Sequence, residues 1–267
     1  MSGILQARSS DAGEDGDAGE HGDAGEDGDV GAGSRFIFML TRDDRTIPEA
    51  RALVPAIAAS GVHHAGAKDV GLPPAELAGL FADLRAAGCA TYLEVVSETP
   101  AAMVASARAA LRIGPDYLIG GTEVEATRQV IAGTGIRFFP YIGRVVGHPC
   151  LLRGTIDEIV ADGLRVQRSG VDGVNLLAYR YDGDPGRLVG SLLEAVSIPV
   201  ICAGSIDAEA RIRAMRRIGV WGFTIGTAVL DGAIVPGRPL TDQLRRVLAL
   251  AGPASAGASA RRSRSSG

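Results

Sequence analysis

The stretch from which the fold is best derived is Val62-His63-His64-Ala65-Gly66-Ala67-Lys68-Asp69-Val70-Gly71. A small, mostly apolar run ends in two charged residues and then a glycine, a pattern typical of a buried β-strand that leads into a turn. Lys68 is the sole lysine of the chain, whereas the other 26 Lys or Arg residues are all arginine. A desolvated ammonium group can lose its proton near neutral pH and act as a base or form a Schiff base, whereas a guanidinium cannot. The stretch therefore predicts a strand that carries a chemically active lysine at its end.

Seven other short apolar runs share this character, and amphipathic helical patterns separate the runs. Most are apolar on both faces, as buried parallel strands require. With residues 62–67, the runs are residues 35–41, 90–96, 117–120, 137–142, 173–178, 199–203 and 222–225. Eight β-α units in about 220 residues predict an α/β fold, a single (β/α)8 TIM barrel. An open doubly wound sheet is the alternative, but no G-x-G-x-x-G turn follows the first run.

The helices between these runs have recognisable starting signals. Thr46 with Glu49, Thr122 with Glu125 and Thr155 with Glu158 have the spacing of capping boxes, in which each side chain caps the backbone of the other. Thr99 precedes Pro100, a proline suited to the first helical position. Asp207 is placed to cap the helix that contains residues 208–218.

Charge divides the chain into three parts. Nine acidic residues and Arg8 give residues 1–34 a net charge of −8, and three arginines give the end from Gly252 a charge of +3. The middle therefore carries +1 of the total of −4, which argues against a nucleic-acid-binding core. The Asp/Gly/Glu repeats of residues 11–29 have no apolar side chains to bury. We predict disordered tails at 1–34 and 253–267 around a barrel at 35–252.

The cysteines and the apolar runs provide evidence about the cellular compartment of the protein. Cys89, Cys150 and Cys202 are an odd and widely spaced set, which indicates a reducing environment. The apolar runs are short, and the first residues lack the pattern of a signal peptide. A cytoplasmic location without membrane association is therefore predicted.

The last two predicted strands carry the most specific motif. Each ends with glycine and a small hydroxyl residue just before a helical turn: Gly204-Ser205 in the seventh unit and Gly226-Thr227 in the eighth. Glycine lets an anion approach the backbone, and a helix start offers unpaired N–H groups. In barrels, this position often holds a substrate phosphate. Tight turns that need glycine only for packing are the alternative.

The stretches 203–206 and 218–228 resemble the phosphate-binding barrel superfamily, of the ribulose-phosphate-binding type. This superfamily includes sugar-phosphate epimerases such as N-acetylmannosamine-6-phosphate 2-epimerase. The resemblance covers about 30 residues closely, and the rest of the chain matches only in its alternation of predicted strands and helices. It implies that Gly204, Ser205, Gly226 and Thr227 bind phosphate.

Further polar residues lie at the predicted strand ends. If Leu93 and Val95 face the helices, Glu94 points into the barrel, where Lys68 on the neighbouring strand is its natural partner. Lys68 and Glu94 are therefore candidate catalytic residues, with a structural ion pair as the alternative. His63 and His64 lie early in their strand, away from this end.

The loop after the fifth strand carries Arg144 and His148. His148 is a candidate proton donor or acceptor, and Arg144 a candidate clamp for an anionic group. Asp43, Tyr179 and Arg180 are candidate substrate-binding residues at the ends of the first and sixth strands, and a solvated rim is the alternative for them.

These features predict an enzyme that acts on a small phosphorylated sugar or related metabolite. An isomerase or epimerase would transfer a proton next to a carbonyl, whereas an aldolase-like lyase would form a Schiff base at Lys68. A barrel that binds a phosphorylated ligand without catalysis is the alternative from another class. No cofactor and no metal site are predicted, although strand-end acids leave Mg²⁺ with a substrate phosphate open. Homo-oligomer formation is also left open.

Overall fold

The structure is a computed structural model that describes residues 34–147 and 149–252. Within these residues, eight parallel strands form a single sheet. They are β1 (Arg35–Met39), β2 (His64–Lys68), β3 (Ala90–Val95), β4 (Tyr117–Gly120), β5 (Arg137–Phe139), β6 (Val174–Leu176), β7 (Val200–Cys202) and β8 (Gly222–Ile225). They lie in the order β6-β7-β8-β1-β2-β3-β4-β5. The predicted set of eight strands is confirmed.

The two ends of this sheet meet between β5 and β6. The backbone N–H of Asn175 donates to the carbonyl of Pro140 over 2.8 Å, and Tyr141 forms a parallel bridge with Asn175. The sheet is thereby closed into a (β/α)8 barrel, as the sequence predicts.

Nine helices surround or cap the described part of the barrel. They are α1 (Val54–Ser60), α2 (Pro74–Ala86), α3 (Pro100–Ile113), α4 (Val124–Ile131), α5 (Ile156–Arg168), α6 (Pro185–Ala195), α7 (Glu209–Ile218), α8 (Thr227–Leu230) and α9 (Leu240–Ala251). Two 3₁₀ turns cover Ala50–Leu53 and Ala178–Arg180. Two antiparallel hairpins interrupt the βα rhythm: Thr41–Arg42 with Arg45–Thr46, and Arg144–Val146 with Leu151–Arg153.

The capping signals give a mixed result. The box of Thr155 and Glu158 forms in full at the start of α5, and Thr99 caps α3. The other two predicted boxes and the Asp207 cap are wrong. Thr46 lies in a hairpin strand, where its hydroxyl bonds to the backbone of Lys68.

At the other two sites the chain turns helical one residue later than predicted. The N-cap of α4 is Glu123 rather than Thr122, and that of α7 is Ala208 rather than Asp207, which pairs with Arg211 instead.

Apolar side chains form two layers. The outer layer lies between the strands and the helices. The inner layer fills the barrel with Ile37, Met39, Tyr92, Tyr117, Ile119, Phe139 and Ile201. The rings of Tyr92 and Tyr117 stack 4.3 Å apart, and the hydroxyl of Tyr92 lies 3.1 Å from Nδ1 of His64 at the amino-terminal end of β2. This packing closes the amino-terminal end of the barrel, so His64 lies away from the other end, as predicted.

Candidate active site

The carboxyl ends of the strands enclose a cavity of about 340 Å³. Its lining contains most of the charged residues that the described barrel buries, together with the turns that follow β7 and β8. The lining residues used below are Asp44, Lys68, Glu94, Arg180, Gly204, Ser205, Gly226 and Thr227. Charged side chains, a cavity and the carboxyl-terminal face coincide here, which is where barrel enzymes place their catalytic groups.

Lys68 and Glu94 lie side by side at the floor of this cavity. Strands β2 and β3 pair in register with Lys68 opposite Glu94, and Nζ of Lys68 lies 3.4 Å from Oε2 of Glu94. Leu93 and Val95 belong to the outer apolar layer, so Glu94 points into the barrel as the alternation of the strand predicts. Both side chains are nearly fully buried.

Asp44 is the third charged residue of this centre. One of its carboxylate oxygens accepts a hydrogen bond of 2.6 Å from Lys68, and the guanidinium of Arg180 donates to both carboxylate oxygens. The backbone N–H of Cys150 is a further donor, at 3.3 Å. Two cations and two anions are therefore buried together, which satisfies the rule that buried charges are paired.

The tight turn of the first hairpin decides which aspartate enters the site. Asp43 and Asp44 both have positive φ, 49° and 58°, the conformation of a two-residue type I′ turn. This turn leaves Asp43 exposed and buries the side chain of Asp44. The sequence therefore points to the correct turn, but Asp44 rather than Asp43 contacts Lys68 and Arg180.

The charges shift the proton affinities of these groups. Burial lowers the pKa of Lys68, but the carboxylates of Glu94 and Asp44 raise it more, so its net pKa lies above the ordinary value. Burial raises the pKa of Asp44, but the hydrogen bond from Arg180 and the charge of Lys68 lower it more, to well below the usual range. The two carboxylates thus favour the ammonium form of Lys68, whereas burial alone would favour the neutral amine.

Two polar side chains approach Glu94 from the closure of the barrel. The hydroxyl of Tyr141 donates to Oε1 of Glu94 over 2.7 Å, and Nδ2 of Asn175 lies 3.4 Å from the same oxygen. Neither Tyr141 nor Asn175 is among the candidate site residues of the sequence analysis. An aromatic residue at the end of the fifth apolar run was the available signal for Tyr141.

The turns after β7 and β8 face the same cavity. Gly204 has a φ of +77°, and Ser205 is one of three non-glycine residues with positive φ in the described chain. A Cβ at Gly204 would lie 2.7 Å from Nε of Arg180, and one at Gly226 would lie 2.7 Å from the carbonyl oxygen of Thr41. Packing therefore requires glycine at both positions whether or not an anion binds. The strained backbone of Ser205 is not explained by that packing.

The remaining predicted residues lie outside the central cluster. Arg144 is exposed on the second hairpin and lines a different cavity, with Arg153 and Arg165. The ring of Tyr179 lies under the guanidinium of Arg211, 4.8 Å from its centre. His148 falls outside the described residues. The three cysteines are free and buried.

The described residues contain no group of three or more His, Cys, Asp or Glu side chains that could hold a metal ion. No helix among them is both long enough and apolar enough to cross a membrane.

Comparisons with known proteins identify the fold. No protein-family model matches the sequence, and no curated protein matches it significantly. The BexX/CysO complex of Amycolatopsis orientalis matches with a TM-score of 0.57 and 16% identity, over 82% of this chain and 88% of that one. A native KDPGal structure matches with a TM-score of 0.57 and 13% identity, over 80% and 93% of the two chains.

The N-acetylmannosamine-6-phosphate 2-epimerase from Clostridium perfringens matches with a TM-score of 0.53 and 13% identity, over 74% of this chain and 88% of the epimerase. At such identities the similarity concerns the fold. The expected likeness to this type of barrel is therefore confirmed at the level of fold.

Proposed function

We propose that the protein is an enzyme that acts on a small phosphorylated sugar or related metabolite, and that it transfers a proton next to a carbonyl group. The observation that carries this proposal is the contact of Lys68 with Glu94 in a cavity that Ser205 and Thr227 also line. A carboxylate and an ammonium group meet at one end of this cavity, and two glycine-containing turns lie at its wall. Binding at the turns would hold the substrate while its carbonyl end lies against the charged pair.

The phosphate would bind at the turns after β7 and β8. In α8, Val229 and Leu230 donate to the carbonyl of Gly226, so Thr227 and Ala228 are the residues whose N–H groups would face an anion at this turn. Ser205 adds a hydroxyl group in a strained conformation that presents it beside Gly204. The buried charges of Lys68, Arg180, Asp44 and Glu94 cancel one another, so backbone dipoles would supply most of the attraction for phosphate.

The charges of Glu94 and Lys68 assign each residue a role in the proposed proton transfer. Glu94 would take the proton from the carbon next to the carbonyl, and the electrons of the broken C–H bond would form a C=C bond. The carbonyl π electrons would move to oxygen, which Lys68 would stabilise by donating a hydrogen bond or its proton. Return of a proton to the former carbonyl carbon, with loss of the proton from the neighbouring hydroxyl group, would complete an isomerisation. Return of a proton to the other face of the original carbon would complete an epimerisation.

A Schiff base at Lys68 is the second chemistry that the lysine permits. It requires a neutral amine as nucleophile, and the two carboxylates raise the pKa of Lys68 and so disfavour that form. We therefore favour proton transfer over an aldolase-like lyase more firmly than the sequence does.

Two further points bear on the proposal. Barrel enzymes named for a phosphorylated sugar include the Clostridium perfringens epimerase, whose fold this chain shares. A barrel that binds its ligand without catalysis would have no need of lysine at position 68, because arginine also binds anions.

The first test is a thermal-shift screen of phosphorylated sugars and triose phosphates. A ligand at a hundred times its Kd adds about 2.7 kcal/mol of stability, which for a domain of this size shifts Tm by roughly 5–10 °C. The Ser205→Asp variant should abolish the shift by placing a negative charge in the anion site, whereas Ser205→Asn keeps the backbone conformation without the charge and should retain most of it. A folded protein that no phosphorylated compound stabilises would contradict the proposal.

The second test separates the chemistries with the compound that binds. In D₂O, proton transfer exchanges the hydrogen next to the carbonyl, and Glu94→Gln or Lys68→Arg should slow this exchange by roughly 10²–10⁴-fold. Borohydride should leave Lys68 unmodified. A reduced adduct at Lys68 would instead support the lyase, and binding without exchange or adduct would support the non-catalytic barrel.

A further inference from the structure

We infer that Oε2 of Glu94 is the atom that receives the substrate proton, and that Tyr141 is a positioning residue that keeps Glu94 in its charged, reactive orientation. This inference rests on the proposed function, because it assigns atoms within that proton transfer. It goes further in naming which oxygen reacts and which side chain outside the cavity lining controls it.

The hydrogen bonds of Glu94 are divided unequally between its two oxygens. Oε1 accepts the 2.7 Å hydrogen bond from Tyr141 and the longer contact of 3.4 Å from Asn175. Oε2 has a single neighbouring donor, Nζ of Lys68, at 3.4 Å. Each carboxylate oxygen has two lone pairs. Two donors occupy both lone pairs of Oε1, whereas Oε2 keeps one lone pair that can accept a proton.

The position of Tyr141 is held by the backbones of the neighbouring strands. Its N–H donates to the carbonyl of Gly121 over 2.9 Å, and its ring packs so closely on β4 that a Cβ at Gly120 would lie 3.0 Å from Cε2. Burial and the nearby Glu94 raise the pKa of Tyr141 well above its usual value. The hydroxyl therefore stays protonated and acts as a fixed donor.

Asn175 provides a second indication that Oε1 of Glu94 serves as a hydrogen-bond acceptor. Its side chain is fully buried, and among the described residues its Oδ1 has no hydrogen-bond partner. Turning the amide over would bring Oδ1 against the carboxylate, where two acceptors would repel each other. The amide thus keeps its NH₂ group toward Glu94 and leaves its oxygen unsatisfied, which is the arrangement expected beside an oxygen that accepts hydrogen bonds.

In the proposed step, the substrate C–H bond breaks and an O–H bond forms on Oε2. Oε1 keeps its hydrogen bond from Tyr141 throughout, so the carboxyl group does not rotate as it gains and returns the proton. Loss of that hydrogen bond would both free the rotation and make the charged form less stable.

The test measures Glu94 directly by infrared spectroscopy of protein labelled with ¹³C at the glutamate carboxyl carbons. Subtraction of the Glu94→Gln spectrum isolates the Glu94 band. In Tyr141→Phe we expect this band to change frequency, because the hydrogen bond to Oε1 of Glu94 has been removed.

Tyr117→Phe is the matched control. Tyr117 is a buried tyrosine like Tyr141, but it stacks on Tyr92 toward the amino-terminal end of the barrel. The other groups that act on the Glu94 site, namely Lys68, Asp44, Arg180 and Cys150, are unchanged in both variants. An unchanged Glu94 band in Tyr141→Phe, or an equal change of that band in Tyr117→Phe, would overturn the inference.

If Tyr141→Phe does not fold, 3-fluorotyrosine incorporated at position 141 gives the opposite test. Its more acidic hydroxyl is a stronger donor, so the Glu94 band should change frequency, and an unchanged band would count against the inference.

The spectroscopic result does not depend on a substrate. If the Glu94 band changes as expected but no phosphorylated compound undergoes hydrogen exchange in D₂O, the proposed function is contradicted. The positioning role of Tyr141 is supported in that case. With an active substrate, Tyr141→Phe should lower kcat about tenfold and move the acid limb of the rate profile to higher pH, with little change in KM. A kcat and pH profile equal to those of the unaltered protein would overturn the inference.

Discussion

At the scale of single residues, the candidate site depends on which charged side chains are buried together. Lys68 and Glu94 could be identified from the sequence because one is the sole lysine and the other is an acid within an apolar run. Asp44 could not, because two adjacent aspartates occupy one turn and only the hairpin geometry directs one of them inward. Asp44 is nevertheless the residue that contacts both buried cations.

Asp44→Asn removes this charge without changing the backbone preference, because asparagine also adopts positive φ. Lys68 and Arg180 would then be buried with one carboxylate fewer, and loss of a buried partner costs about 3–5 kcal/mol. Urea unfolding measures this loss. Asp43→Asn is the control in the same turn, and its exposed side chain predicts a change of less than about 0.5 kcal/mol. Equal effects of the two variants would contradict the role assigned to Asp44.

The lowered pKa of Asp44 predicts a specific acid sensitivity. In the unfolded chain Asp44 binds a proton near pH 4, whereas in the folded protein it does so only at a much lower pH. Its contribution to stability is therefore complete above about pH 5 and is lost as the pH falls below the unfolded value toward the folded one. Urea unfolding between pH 7 and pH 3 should show a steeper loss for the unaltered protein than for Asp44→Asn. Parallel curves would show that Asp44 is not responsible.

At the scale of elements, a capping motif in the sequence predicts the start of a helix correctly where the neighbouring residues alone decide that start. Thr155 and Glu158 cap each other at the start of α5 in the predicted way. The same spacing fails at Thr46, because a hairpin absent from the regular βα rhythm occupies that segment. It also fails at Thr122, because α4 begins after Glu123.

This difference predicts unequal effects of two equivalent substitutions. Thr155→Ala should destabilise the protein by about 1 kcal/mol, since it removes the acceptor for the N–H of Glu158. Thr122→Ala should change stability by less than about 0.5 kcal/mol, because this exposed threonine caps no helix. Chemical denaturation of both variants provides the comparison, and a larger loss in Thr122→Ala would contradict the assignment of helix starts.

At the scale of the whole molecule, the closed sheet brings distant parts of the chain to one cavity. Lys68 and Glu94 come from neighbouring strands, whereas Arg180 and Ser205 follow β6 and β7 on the other side of the barrel. The bridge of Tyr141 to Asn175 closes the sheet and also places both side chains at Glu94. The contacts that close the barrel therefore also position the side chains around Glu94.

All eight strands and the closing hydrogen bond lie within residues 34–252. A chain of these residues should therefore unfold in one cooperative transition, with a free energy within about 1 kcal/mol of the full chain. Calorimetry and urea unfolding of the two chains test this prediction. A loss of several kcal/mol on trimming would show that the predicted tails at 1–34 and 253–267 take part in the folded structure.

The sequence by itself determined the number of strands, their parallel arrangement and the barrel, and it identified Lys68 and Glu94 as candidate catalytic residues. These features follow from the hydrophobic periodicity and composition of short segments, which can be recognised without knowledge of the fold. The tertiary structure alone decided that Asp44 rather than Asp43 enters the site, that two carboxylates raise the pKa of Lys68, and that Tyr141 donates a hydrogen bond to Glu94. Those properties depend on side chains far apart in sequence, whose charges and hydrogen bonds act only after the barrel has closed.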